Sequence, residues 1–242
     1  MRHYFYLLGI IGFIMLSCSK NSPMELENQT QSFMTGNDGK VYKTVKIGDQ
    51  WWIAENLRET EYRSGDKIQE VTDNSAWRSL SSGARCVYEN DENNSETHGY
   101  LYNWYAVNDS RKISPYGWHV PTDEEWKELE MNLGMSRSEA DNTDMRGTNE
   151  GSKLAGRADL WWDGDLKTNA AFGESGFSAL PAGFRTSGGY FTNIVSSAVF
   201  WSSTEISSND AWNRSLGCLY TSVSRSSDNK RYGFSVRLVR DN

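Results

Sequence analysis

Few side chains in this 242-residue chain could carry chemistry, and they are scattered. His3 lies in the N-terminal leader described below, which leaves His98 and His119. Two distant histidines do not make a zinc site by themselves. His119, between Trp118 and Val120, reads as a structural hydrogen-bonding residue. The run Asp91-Glu92-Asn93-Asn94-Ser95-Glu96 has oxygen ligands at alternate positions, but it lacks the glycine that an EF-hand loop places sixth. It reads as a solvated acidic loop. Gly173-Glu174-Ser175-Gly176 lacks the spacing of a Gly-x-Ser-x-Gly nucleophile elbow, so Ser175 reads as a turn residue. One combination suits a ligand: Trp161 and Trp162 followed by Asp163 and Asp165, rings flanked by carboxylates as in a sugar platform. The alternative there is buried tryptophan and a polar turn. No catalytic residue, metal or cofactor is implied.

Whatever these residues do, a fold must position them, and its strongest local signal is Gly117 to Leu133. An extended run stops at Pro121. Thr122 then fits as an N-cap, with Glu125 at the reciprocal capping-box position. Asp123 and Glu124 favour the same end through the helix dipole. Trp126, Leu129 and Leu133 recur at helical spacing, giving one heavy apolar face. Ser136 and Glu139 repeat the capping signal more weakly.

Residues 1–17 read as a leader. A basic start at Arg2 precedes an apolar run from Tyr4 to Leu16, within the range of a secretory h-region and too short to span a bilayer. The run ends in Met15-Leu16-Ser17-Cys18, which resembles a bacterial lipobox with Leu16 at a position where a smaller residue is usual. Lipidation is therefore expected on Cys18, with the membrane as a partner through that lipid. The chain carries 25 basic and 32 acidic residues, a net charge of −7. Removing the leader takes away one more positive charge. So acidic a chain, with no Lys/Arg cluster, is a poor nucleic-acid binder, because phosphate neutralisation dominates that affinity.

Of the remaining cysteines, Cys86 and Cys218 read either as one disulfide, worth roughly 4–5 kcal/mol through its long loop, or as two separate buried thiols. Residues 18–36 are polar and without period, a flexible tether. Order is expected from Asn37. Val41, Val45 and Ile47 fall on one side of a strand that turns at Gly48-Asp49 and returns through Gln50 to Ala54. A short helix is expected around Asn74 to Trp77 and a strand at Arg85 to Tyr88. Four aromatic residues between Gly99 and Val107 suit burial. Beyond Phe177 the texture is short β segments: 183–186 and 190–192 as a hairpin, then 200–203 and 212–216. In the last run, 233–240, Phe234, Val236 and Leu238 alternate. No boundary interrupts residues 37–242, so one domain is expected.

The segments DGKVYKTVKIGDQWWIAENL, GYLYNWYAV, GWHVPTDEEWKEL, GFSALPAGFR, FWSSTE and GFSVRLVRD together resemble the Fibrobacter succinogenes major paralogous domain, found in lipoproteins of Bacteroidetes. They run in order over nearly all of residues 37–241. The module resembles the formylglycine-generating sulfatase-modifying domain and the C-type lectin fold. That implies an α+β domain of irregular, mostly antiparallel sheet, with long loops and two packed helices. Family members often carry one cysteine before the Pro-x-Gly-Trp-His segment and another in the last strand. Here Ser114 and Leu238 stand in those places, so a bridge between Cys86 and Cys218 would be the one left.

Formylglycine chemistry needs two close reactive cysteines that bind copper, and Cys218 stands alone in its segment. A calcium-dependent lectin site has a Glu-Pro-Asn-like loop and a Trp-Asn-Asp strand. Here Glu-Pro-Asn is absent, and Arg214 follows Trp212-Asn213. The expectation is a lipid-anchored cell-envelope protein of the outer membrane whose C-type lectin-like module binds a glycan or a surface protein without catalysis. A structural or assembly subunit of a surface appendage, and an enzyme related to the sulfatase-modifying fold, are the alternatives.

Overall fold

Thr122 caps the helix Asp123–Asn132 as its sequence demands: its hydroxyl accepts from the Glu125 amide while the Glu125 carboxylate accepts from the Thr122 amide. Ser136 and Glu139 repeat the box at Arg137–Asp141. Among the described residues the first helix is the longest, and the second of the two expected helices is half its length and packs against it. These features belong to a computed structural model, which describes Met1 and residues 32–241. The rest of the leader, Cys18 and the tether up to residue 31 lie outside the described residues.

Residues 31–242 form one compact α+β unit. A five-stranded antiparallel sheet runs in the order Phe33–Thr35, Val41–Ile47, Gln50–Ile53, Val239–Arg240, Trp118–His119. A six-stranded sheet runs Phe191–Ile194, Ala182–Arg185, Ser197–Glu205, Asp210–Gly217, Val223–Asn229, Asp144–Arg146. It is antiparallel except where Ser197–Glu205 meets Ala182–Arg185. Gln69–Glu70, Ala84–Cys86 and Leu101–Tyr102 make a third, small sheet.

The C-terminal run joins all three. Phe234 bridges to Tyr102, Gly233 to Arg185 and Ser235 to Phe200, and Val239 pairs with both Trp52 and His119. Phe234, Val236 and Leu238 are buried as their alternation requires, but so are Ser235 and Arg237. The strand is covered on both faces, which an alternating pattern alone does not reveal.

Ordered structure starts earlier than Asn37. Phe33–Thr35 pairs with 41–43, and the Ser32 carbonyl accepts both the amide and the hydroxyl of Thr44. The Gly48-Asp49 hairpin forms, with Gly48 at φ 59°, a left-handed conformation suited to glycine. Its inward face differs from the expected one: Tyr42, Thr44 and Ile47 are buried, Val45 is half-buried and Val41 is exposed. Tyr42 turns inward to join the core cluster that holds Met34, Ile53 and Leu57.

Two large clusters fill the core. In one, Trp52, Trp126, Phe177 and Phe200 pack ring against ring at centroid distances of 5.0 to 5.9 Å. Helix Asp123–Asn132 contributes Trp126 and Leu129 to it. The other gathers the aromatic segment 100–107 around Trp201 and Phe234, whose rings lie 4.3 Å apart.

Candidate functional site

The Trp161-Trp162 platform does not form as a pair of rings. Trp161 is buried and donates its indole N–H to the Gly156 carbonyl at 3.0 Å. Trp162, the next residue, is 63% exposed. Asp163 is turned out and pairs with Lys167 at 2.7 Å, and Asp165 opens a helical turn at Asp165–Thr168. In an extended stretch neighbouring side chains point to opposite faces, so a tandem pair is split between core and solvent.

Trp162 finds other company. Its amide donates to Val195, the Cys218 amide donates to Ser196, and the Leu166 amide donates to Cys218. Three loops are thereby tied at one end of the six-stranded sheet. Gly164 lies so close to them that an added Cβ would sit 2.2 Å from the Cys218 carbonyl oxygen. Only glycine permits that approach. The third loop carries Leu219, 60% exposed, and Tyr220, 54% exposed. Val195, at φ 62°, holds the left-handed region, a conformation rare for a β-branched residue and of the kind found at binding sites. The result is an indole, a phenol and an isobutyl group presented to water on a hydrogen-bonded frame. Trp162 was legible as a candidate. Leu219 and Tyr220 were not, because nothing local marks them.

Cys86 and Cys218 do not form the bridge. Both are free and buried, in different apolar clusters. Burial pushes the Cys86 thiol up to about 12, which makes it a poor nucleophile. Ser175 is a turn residue: its hydroxyl donates to the Lys153 carbonyl and accepts from the Phe177 amide. The acidic loop spends its groups locally. Asp91 accepts from the Asn93 amide, and Glu92 from the Tyr100 hydroxyl at 2.7 Å. Among the described residues no three His, Cys, Asp or Glu side chains gather as a metal-binding set.

His119 is held on both sides, with Nε2 2.7 Å from Glu125 and Nδ1 2.5 Å from Asp241. The Glu125 contact and the Asp241 contact raise its pKa against the opposing effect of burial. A carboxylate at each nitrogen favours the protonated ring, and in that form it has no lone pair with which to act as a base.

Beneath the capping-box helix lies a charge cluster that Arg214 organises. Its guanidinium reaches Glu130 at 2.7 Å and Asp123 at 2.8 Å. Arg225 grips the same Asp123 at 2.8 Å while stacking 3.7 Å above Trp212, and Arg146 binds Glu130 from the other side. Burial works to raise the Asp123 pKa, but Arg225 and Arg214 outweigh it and hold the carboxyl at about 2. The charged side chains of this cluster are nearly or wholly shut off from solvent, and Trp212 is half-buried. They fasten helix to sheet and offer nothing to a ligand.

No helix among the described residues is long and apolar enough to cross a membrane. Neither the curated proteins nor the solved structures contain a match to this chain. The model of the Fibrobacter succinogenes major domain matches residues 45–240. That stretch contains the hairpin turn and its second strand, the capping-box helix, all three aromatic-end loops and the closing strand, well over half of the sequence. The chain therefore belongs to the Fibrobacter succinogenes major domain family.

Proposed function

We propose that this protein is a lipid-anchored component of the bacterial cell envelope, an outer-membrane lipoprotein held through Cys18, and that it presents a non-catalytic, lectin-like binding module to a glycan. The aromatic end of the six-stranded sheet carries the reading. Trp162 and Tyr220 are rigid, amphipathic rings with little conformational entropy to lose. Three loops fastened by backbone hydrogen bonds hold them exposed, with Asp163 beside Trp162 to accept from hydroxyl groups. A sugar ring offers both an apolar face and hydroxyls, and so matches both features. The leader, the lipobox-like Met15-Leu16-Ser17-Cys18 and the polar tether support the envelope assignment.

A glycan array probed with the full-length protein in detergent tests this. Binding to one glycan class, lost in Trp162→Ala and in Tyr220→Ala, is the expected result. Absence of binding with and without calcium overturns it. Metabolic labelling with palmitate tests the anchor: incorporation must disappear in Cys18→Ala.

A further inference from the structure

The six-stranded sheet's aromatic end leaves unexplained a second concavity, a cleft of about 370 Å³ beside His119. Arg63, Lys112, Ser114, Trp118, His119 and Asp241 define its character. Arg63 is fixed in place by backbone acceptors: Nε donates to Ser114 at 2.9 Å and Nη2 to Pro115 at 2.9 Å. Its guanidinium lies 4.5 Å over the ring of Tyr116, a side chain that is 83% exposed. Among the described residues Nη1 has no hydrogen-bond partner and no carboxylate lies within ion-pair distance of Arg63. The Arg63 amide donates to the Lys112 carbonyl, which brings Lys112 alongside, and the Lys112 ammonium is likewise unpaired among the described residues. The remaining charge in the cleft is offset in place, because Asp241 and Glu125 share the His119 imidazolium. With His119 protonated that trio carries one net negative charge and the two free cations carry two positive ones, so the cleft is then cationic on a chain whose net charge is −7.

We infer that this cleft is a second binding site, one that takes a single carboxylated sugar residue of the uronic acid type. A guanidinium already oriented by carbonyls loses little freedom on meeting a carboxylate, and such charge-assisted bonds are the strong ones. Trp118 supplies ring surface for the apolar face of a pyranose. Ser114 and His119 make the floor polar. The volume is near the lower end of ligand cavities, which run from about 300 to 1,000 Å³, and so suits one residue rather than a longer saccharide. This inference stands apart from the proposed glycan surface, because it uses none of Trp162, Leu219 or Tyr220.

Tryptophan fluorescence of the full-length protein in detergent, titrated with glucuronate, galacturonate, glucose and inorganic phosphate, tests it. Saturable quenching by at least one uronate is expected, at least about tenfold tighter than by glucose or phosphate. Lys112 holds φ 61°, so Lys112→Gly removes the ammonium without straining the backbone, and uronate affinity should fall about three- to tenfold. Arg63→Lys, which keeps the charge but not the fork, should fall further. Trp162→Ala should bind the uronate unchanged, which separates this site from the aromatic end. Equal binding of glucose, equal binding of phosphate, no response to either uronate, or full affinity in Lys112→Gly would each overturn the inference.

Discussion

Glu130 and Arg214 meet at 2.7 Å with neither side chain reaching solvent. The pair joins the last turn of the capping-box helix to the centre of the six-stranded sheet, and Arg146 closes the other oxygen of Glu130. Removing one partner from such a pair strands a desolvated charge, at a cost of about 3–5 kcal/mol. Arg214→Met is therefore expected to lower the urea midpoint strongly, with an unchanged slope. A loss under about 1 kcal/mol would mean that water reaches the cluster.

Glu59 is fully buried beside Asp38, and one of its oxygens has no partner among the described residues. Burial, then the Asp38 charge, pushes its carboxyl up to about 7, while Lys40 and Thr60 hold Asp38 below the ordinary range. The folded protein thus keeps a proton on Glu59 that the unfolded chain releases near pH 4.3. Its stability is full below that pH, declines as pH rises toward about 7, and stays lower above it, by an amount on the order of 3 kcal/mol. Glu59→Gln should remove the decline and raise the neutral-pH melting temperature. Melting curves from about pH 4 to 8 would show it, and a mutant less stable than the parent at every pH would refute it.

Cys86 and Cys218 sit in separate cores, so dithiothreitol should leave the melting temperature unchanged. A thiol titration of the unfolded protein without reductant should find both. A reductant-sensitive transition would restore the disulfide.

Much of this fold was legible where the determinants are local. Thr122 with Glu125 and Ser136 with Glu139 satisfy backbone donors within one turn, so those helices announce themselves. Asp73 likewise caps Asn74–Arg78, and the Gly48-Asp49 turn fixes its hairpin. What stayed hidden depends on distant partners. Val223–Asn229, with the sequence VSRSSDN, has almost no apolar signal, and it is a strand because Asp210–Gly217 and Asp144–Arg146 pair with its two edges. Phe33–Thr35 looks like tether until its pairing with 41–43 is known. The arginine cluster is invisible too, since Arg214, Arg225 and Arg146 read as surface charges until the helix supplies Asp123 and Glu130. The aromatic end combines three loops, at 162–166, 195–196 and 218–220, that are far apart in sequence.

The split of Trp161 from Trp162 gives a matched pair of tests. Trp161→Ala removes a buried indole and its bond to Gly156, at a cost of about 3–5 kcal/mol. Trp162→Ala removes an exposed one and should stay within about 0.5 kcal/mol of the parent. Glycan binding should show the reverse order for the protein that remains folded. Equal destabilisation by both would place Trp162 in a packed environment and remove the aromatic end as a binding surface.

His119 joins three parts of the chain: its own strand, Glu125 in the capping box, and Asp241 after the last strand. The folded state holds its proton more tightly than the unfolded chain, in which histidine titrates near pH 6.5. The stabilisation is therefore complete below about pH 6.5 and is lost as pH rises through the higher folded value. His119→Gln should cost stability at about pH 6 and progressively less toward about pH 9. The histidine is partly exposed, so solvent screening keeps the effect modest, and the pH trend decides the matter more than its size. A deficit that stays constant across that range would show that shape alone, without the proton, makes His119 useful here.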